Sequence, residues 1–509
     1  MATMRKPARA DEPLAEATQW LAQFGQAVAQ RDAGAASELF DPACHWRDLL
    51  AFTWNLITFE RREDIRAGLD GVLANVATTH WKIDGTPTLS AGVVTAWFRF
   101  ETTVGRGRGY VRLRDGKCTV LFTALTELKG YEEKSGVRRD EGIELGGIKG
   151  KRSWAEKRQT ESARRGNQDQ PYCLIVGASQ GGLALAARLR QLDVPTLVID
   201  KLERPGDAWR GRYKSLCLHD PVWADHMPYI PFPAHWPVYT PKDKMADWLE
   251  MYAKVMELDV WCSTECTSAS YDADENQWSV NVVRAGRAIA LQPTHLILAT
   301  GLSGMPKTPT FPGAKAFQGV QVHSSAYHGG AAFAGKRCVV VGSNNSAHDI
   351  CQDLWECGAD VTMIQRSPTL VVRLKSLRKI ADAGPFSEAG IAAGITTEEA
   401  DLAAASTPFR LLENLARTNY AKIQEWDRDF YDRLRAVGFQ FHFGEDETGI
   451  LMMYLRRAAG YYIDVGASDL IADGEIKLIS GGAVAGIQAA GLVLQSGAEV
   501  PADLIVYAT

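Results

Sequence analysis

An apolar strand that runs into a small-residue turn, an amphipathic helix and a second strand occurs twice in this chain, at about residues 173–200 and 337–366. Short β-branched runs alternating with glycine turns and amphipathic helices predict a parallel α/β architecture. In the first unit CLIV (173–176) leads into Gly177, Ala178, Ser179, Gln180, Gly181 and Gly182, and a helix follows with Leu185, Leu189 and Leu192 on one face. The next strand, TLVID, ends at Asp200, with Lys201 beside it. Glycines allow the tight turn and close helix packing, while free amides at the helix N-terminus face a pyrophosphate. Asp200 stands where a carboxylate accepts hydrogen bonds from ribose hydroxyls. Ser179 replaces the second glycine of G-x-G-x-x-G, so its side chain must point away from the phosphates or hydrogen-bond them.

The second unit, RCVVVGSNNSAHDI, carries Gly342, Ser343, Asn344, Asn345, Ser346 and Ala347 in the turn and Ala347, Ile350, Cys351 and Leu354 on one helix face. Asn344 fills the second glycine position, where asparagine tolerates unusual backbone angles. The strand DVTMIQRS ends at Gln365, Arg366 and Ser367. Arg366 replaces the expected acid, and an arginine there suits the 2'-phosphate of NADP, whereas an exposed strand-end arginine is the plainer alternative.

The chain has 509 residues, more than one hydrophobic core usually organises. Its net charge of −5 gives no basic field and argues against nucleic acid as a partner. No apolar run is long enough for a secretory signal or a membrane span, and nine scattered cysteines without C-x-x-C fit reduced thiols in a cytoplasm. Residues 10–130 read as a small α+β unit: Leu14, Ala17, Leu21, Phe24 and Val28 recur at helical spacing, and so do Ile65, Leu69, Val72 and Val76. Val94, Ala96, Phe98 and Phe100 alternate as a strand does. Residues 131–170 carry 18 charged residues and read as a solvated linker or a surface-wrapping arm. Within 373–445 a helical insertion shows a capping box from Thr396 to Glu399 and a stripe of Trp426, Phe430, Leu434 and Val437, a core face or the wall of a lid.

Between the two nucleotide units, Phe317, Gly319, His323 and Tyr327 fit F-x-G-x-x-x-H-x-x-x-[FYW]. This resembles the identifying sequence of flavin-containing monooxygenases and the related Baeyer–Villiger enzymes. Tyr327, in place of tryptophan, leans toward the flavin-containing side, and His328-Gly329 resembles its type II members, which carry an N-terminal extension. Gly206-Asp207-Ala208-Trp209-Arg210 resembles a turn near the flavin, Ala299-Thr300-Gly301 the strand end that closes the FAD domain, and YIDVGASDLIADGEIKL a stretch of the plant YUCCA monooxygenases. The N-terminal unit resembles the NTF2-like (SnoaL-like) family in element order and in HWRDLLAF.

The resemblance implies two Rossmann-like dinucleotide-binding domains preceded by a small α+β NTF2-like domain: FAD binding over 171–334, completed by 447–509, and NAD(P)H binding over 335–446. It implies FAD on the first turn, contacted also by Trp209, Arg210 and Ala299 to Gly301, and NADPH, with NADH as the alternative, on the second. The implied activity inserts one oxygen atom from O2 into a small organic substrate through a C4a-peroxyflavin, as N- or S-oxygenation or Baeyer–Villiger oxidation. His219 stands where relatives place an asparagine beside the flavin, and His323 lies on the connection that must align one cofactor against the other; both are active-site candidates. Family members continue past LIVYAT, so the C-terminus is expected to be incomplete. The N-terminal unit is expected to be structural, through dimer contact or cover of the flavin domain, although Asp48 and His45 could line a pocket there. A cytoplasmic enzyme without nucleic-acid or membrane partners, as a homodimer, is the expected setting. The competing readings are a flavoprotein disulfide reductase, which the missing C-x-x-C opposes, an NAD(P)H oxidase or other flavin-dependent reductase, and a non-catalytic flavoprotein-derived scaffold.

Overall fold

A computed structural model describes residues 12–382 and 384–509, so the first two residues expected in the N-terminal unit lie outside it. The chain divides into two compact units, one comprising residues to Arg139 together with Glu398–Leu412, the other Asp140–Thr397 with Glu413–Thr509.

In the first unit, helices Glu12–Ala29, Ala33–Ser37 and Arg61–Val72 accompany a six-stranded sheet. Its strand order is Leu56–Glu60, Phe40–Leu49, Lys117–Leu128, Gly105–Arg114, Val93–Thr102, Thr78–Ser90. Ala17, Leu21, Phe24 and Val28 are buried as their spacing predicts, and Trp20 joins them, while Leu14 is exposed. Val94, Ala96, Phe98 and Phe100 fill the interior from the sheet. The alternating glycines of Gly105–Arg114 make room for them: a Cβ on Gly109 would stand 2.1 Å from the Phe98 ring, and one on Gly107 2.3 Å from the Phe100 ring. Asp48 is fully buried and accepts hydrogen bonds from the Phe52 and Thr53 amides and from the Thr53 and Thr123 hydroxyls. This ties a loop to the sheet.

Glu398–Leu412, expected within the nicotinamide domain, clusters with this first unit. Glu399 of the expected capping box meets Arg108 at 2.6 Å, and Leu402 and Ala405 pack near Tyr110, Phe122 and Ala124. The predicted stripe beyond it is broken, since one helix ends at Trp426 and the next starts at Arg428, leaving Phe430 and Leu434 buried but Trp426 and Val437 exposed.

The second unit contains the two nucleotide-type folds. A parallel sheet runs His295–Leu298, Cys173–Val176, Thr196–Ile199, Val260–Trp261. A second runs Val320–His323, Leu504–Tyr507, Arg337–Val341, Asp360–Gln365, Lys477–Ser480, all parallel. Residues 477–480 and 504–507 therefore join the second sheet and not the first, where the resemblance implied that 447–509 would complete the FAD domain. Leu504–Tyr507 pairs with Cys338–Val341 on one side and Val320–His323 on the other, and Lys477–Ser480 extends the far edge of the same sheet. The charged arm is a docked one: helix Trp154–Arg164 opens with a Ser153–Glu156 capping box, and Arg158 reaches Asp259 at 3.0 Å.

Candidate active site

The two turns share one construction. Gly177 has φ 118°, and a Cβ there would stand 2.3 Å from the Ala299 carbonyl oxygen; Gly342 has φ 134°, and a Cβ would stand 2.2 Å from that of Ala508. In each, the end of a neighbouring parallel strand closes over the first glycine, which only glycine permits. Asn344 (φ −97°) does not use the unusual backbone angles that asparagine tolerates, and it and Ser179 (φ −109°) are extended N-cap residues.

Around the first turn, Gly182 packs so tightly that a Cβ would stand 1.9 Å from the Gly177 carbonyl oxygen, whereas beside Gly181 nothing lies within 4 Å. That open space beside helix-terminal amides fits a pyrophosphate. Asp200 accepts the Ala178 amide at 2.7 Å and the Leu202 amide at 2.9 Å, so it braces the turn. Ser179 Oγ donates to Gln180 Oε1, and Trp209 Nε1 donates to the same oxygen at 3.1 Å. Arg210 is spent elsewhere: its guanidinium holds Asp207, Asp247 and Glu250, and these carboxylates raise its pKa against the opposing cost of burial. Lys201, Thr300 and Gly301 are exposed at the strand ends.

Around the second turn, Ser343 shares a hydrogen bond of 2.7 Å with Thr369, and Asn345 Oδ1 accepts the Ile463 amide at 2.9 Å. Gln365 is fully buried, and its amide group is consumed by the Gln440 backbone on both sides and by Ser480. Arg366 next to it is exposed, which leaves it as the strand-end group that can reach a nucleotide.

A cavity of about 280 Å³ has Cys217, His219, Tyr239, Asp349, Leu374 and Ile463 among its walls. Its chemistry is polar on one side, where the Tyr213 phenol donates to Asp349 Oδ2 at 2.6 Å. Burial raises the pKa of Asp349, opposed by the Tyr213 hydrogen bond and the nearby His219. The Tyr239 hydroxyl oxygen is buried without a partner among the described residues. Asp225 is pushed up to about 7 by burial and then by the charge of Asp220. His323 does not bridge two segments through both ring nitrogens. Its Nδ1 accepts the Ser325 amide at 3.1 Å within its own turn, while Nε2 is buried with no partner among the described residues. The carboxylates Asp349 and Asp353 and the phenol Tyr213 escaped the sequence reading, although two acids four residues apart on a helix with an apolar face were a usable signal.

Two dinucleotide-type folds joined in one unit define a pyridine-nucleotide-linked flavoprotein architecture. Residues 174–380 match the family described as pyridine nucleotide-disulphide oxidoreductase. Indole-3-pyruvate monooxygenase YUCCA1 of Oryza sativa subsp. japonica is 31% identical over 340 residues, 67% of this chain and 76% of that one. Probable indole-3-pyruvate monooxygenase YUCCA10 of Arabidopsis thaliana is 28% identical over 340 residues, 66% of this chain and 80% of that one. A cyclohexanone monooxygenase structure with bound epsilon-caprolactone shares the fold with a TM-score of 0.50 at 18% identity, over 67% of this chain and 73% of that one. The chain belongs to the flavin monooxygenase superfamily.

Proposed function

We propose that the chain holds FAD on the Gly177–Gly182 turn and NADPH on the Gly342–Ala347 turn, and oxygenates a small organic substrate with O2 at the cavity beside His219. The paired construction of the two turns, each glycine pinned under a strand-end carbonyl, is the observation that carries this reading. When bound, the flavin supplies two-electron transfer and reaction with oxygen, and the protein supplies orientation and exclusion of water. Asp200 and the open face beside Gly181 suit the ribose and pyrophosphate of FAD, and exposed Arg366 suits the 2'-phosphate of NADPH. His219 and the unpartnered Tyr239 hydroxyl give the cavity polar groups that can orient a substrate, while Leu374 and Ile463 give it apolar walls.

The N-terminal unit, NTF2-like in its order of elements, has a structural role in this reading, with the enzyme a cytoplasmic homodimer. Asp48→Asn is expected to leave flavin reduction and product yield unchanged in folded protein, because Asp48 is committed to its own loop. The enzyme reading itself is tested by offering a sulfide, a tertiary amine and a cyclic ketone with NADPH under isotopically labelled O2. One labelled oxygen in a product is expected, and the substrate that takes it separates heteroatom from ketone oxygenation. NADPH consumption yielding only hydrogen peroxide with every substrate would favour an oxidase instead.

A further inference from the structure

The helix Asn345–Glu356, whose N-terminus faces the second turn, carries two carboxylates one turn apart, and each receives a phenol from a different segment. Asp349 takes the O–H of Tyr213, which stands just after Gly206–Arg210 in the first nucleotide fold's part of the chain. Asp353 takes the O–H of Tyr327, the aromatic of the F-x-G-x-x-x-H-x-x-x-[FYW] run, and also the Gly330 amide at 2.7 Å. Both tyrosines are 2% exposed. Gly330 lies directly on the helix, since a Cβ there would come within 3.0 Å of the Leu354 Cα. Buried hydrogen bonds to charged acceptors are stronger and more directional than neutral ones, so the pair fixes both the rotation and the height of the helix against the segments that precede the second fold.

We propose that Asp349 and Asp353 are positioning residues for hydride transfer: with Tyr213 and Tyr327 they form two latches that hold the second nucleotide helix, and hence the nicotinamide, in register with the flavin. This rests on the reading that the second turn carries NADPH. Ser346 of the turn stands three residues before Asp349 on the same helix, so the first latch lies next to the turn itself. It also gives the aromatic of the motif a job that follows from its chemistry: a ring with a donor at its edge can reach Asp353, and a phenyl ring cannot. A change in register does not remove any group that grips the nucleotide, so it lowers the rate of reduction at saturating NADPH more than it weakens NADPH binding.

The test is anaerobic stopped-flow reduction of the FAD-loaded full chain by NADPH, for Tyr213→Phe, Tyr327→Phe and the double variant. Tyr252→Phe is the control, because it removes a similarly buried phenol that donates to the Pro228 carbonyl and touches neither latch. Each single variant should retain FAD and slow limiting reduction about tenfold, and the double variant about a hundredfold, the scale expected of a small misplacement of reacting groups. Tyr252→Phe should match wild type in that constant. Latch variants that keep FAD and reduce at the wild-type rate would overturn the proposal, as would an equal loss in the Tyr252 control. A wild-type flavin that NADPH does not reduce would instead remove the underlying reading and the proposal with it.

Discussion

The two nucleotide turns start from the same plan, and among their differences two adjacent ones fall where the helix packs against the turn. In the first, Gly181 and Gly182 begin the helix; in the second, Ser346 and Ala347 take their places. No Cβ fits between Gly182 and the Gly177 carbonyl, whereas Ala347 is accommodated and fully buried. The open space beside Gly181 is matched in the second turn by the side chain of Ser346. The strands beyond diverge as well, one ending in Asp200 and the other in Arg366. The two turns therefore share a fold and differ at the helix start and in the strand-end side chain.

The comparison breaks most visibly at the glycine. Gly182→Ala should cost the protein its FAD and much of its stability, since the methyl meets a backbone oxygen 1.9 Å away, while Ala347→Gly should keep FAD and lower the melting temperature only modestly. Flavin content after gel filtration and a thermal melt check both, and a FAD-replete Gly182→Ala protein would mean that the turn relaxes freely. Gly181→Ala, with nothing within 4 Å, separates the two roles: it should fold normally and bind FAD less tightly.

Next in size is a pH effect confined to the second helix. His348 is fully buried, stacked on Tyr462 at 3.8 Å between ring centroids, and burial lowers its pKa from 6.5 to about 4. Between those values the unfolded chain binds a proton that the folded chain refuses, so stability is complete above pH 6.5 and falls as the pH drops toward 4. The loss is on the order of 3 kcal/mol. His348→Phe, which keeps the stacking, should flatten the acid side of the stability curve measured by urea denaturation at pH 7 and pH 5; an unchanged slope would show that the imidazole protonates in place.

Arg366→Ala should raise the Michaelis constant for NADPH on the order of tenfold to a hundredfold, the worth of a charge-assisted phosphate contact, with little change for NADH. Equal effects on the two nucleotides would leave Arg366 a surface residue. Asp225, between strands Thr196–Ile199 and Val260–Trp261, has an effect of the opposite sign to that of His348. Its folded pKa of about 7 lies above its ordinary 3.8, so its contribution is present at low pH and is lost as the pH rises to 7. Asp225→Asn should therefore raise the melting temperature at pH 8 and not at pH 4, and a gain of the same size at both would point to packing instead.

Both turns were legible in the sequence because turn chemistry is local: glycine, helix start and strand-end residue lie within about thirty residues, as the βαβ unit requires. The buried face of the second helix, Ala347, Ile350, Cys351 and Leu354, follows its spacing. The first helix misled, since it buries Leu183, Ala186 and Ala187 more deeply than Leu185 and Leu189; small residues face the sheet where packing is tight. Partnership in a parallel sheet is not a local property, so the place of Leu504–Tyr507 in the second sheet could not be read from that strand's own residues. The same holds for Glu398–Leu412, whose helical pattern carries no sign of its attachment to the first unit, and for Gln365, whose amide is spent on a residue 75 positions away.

The central claim is that one turn carries FAD and the other the nucleotide that reduces it. Its most direct test is an anaerobic titration of the full-length protein with NADPH, followed by release and chromatographic identification of the flavin. The account predicts complete bleaching of the bound flavin by one equivalent of NADPH and recovery of FAD; recovery of FMN, or a bound flavin that NADPH leaves oxidised, would contradict it.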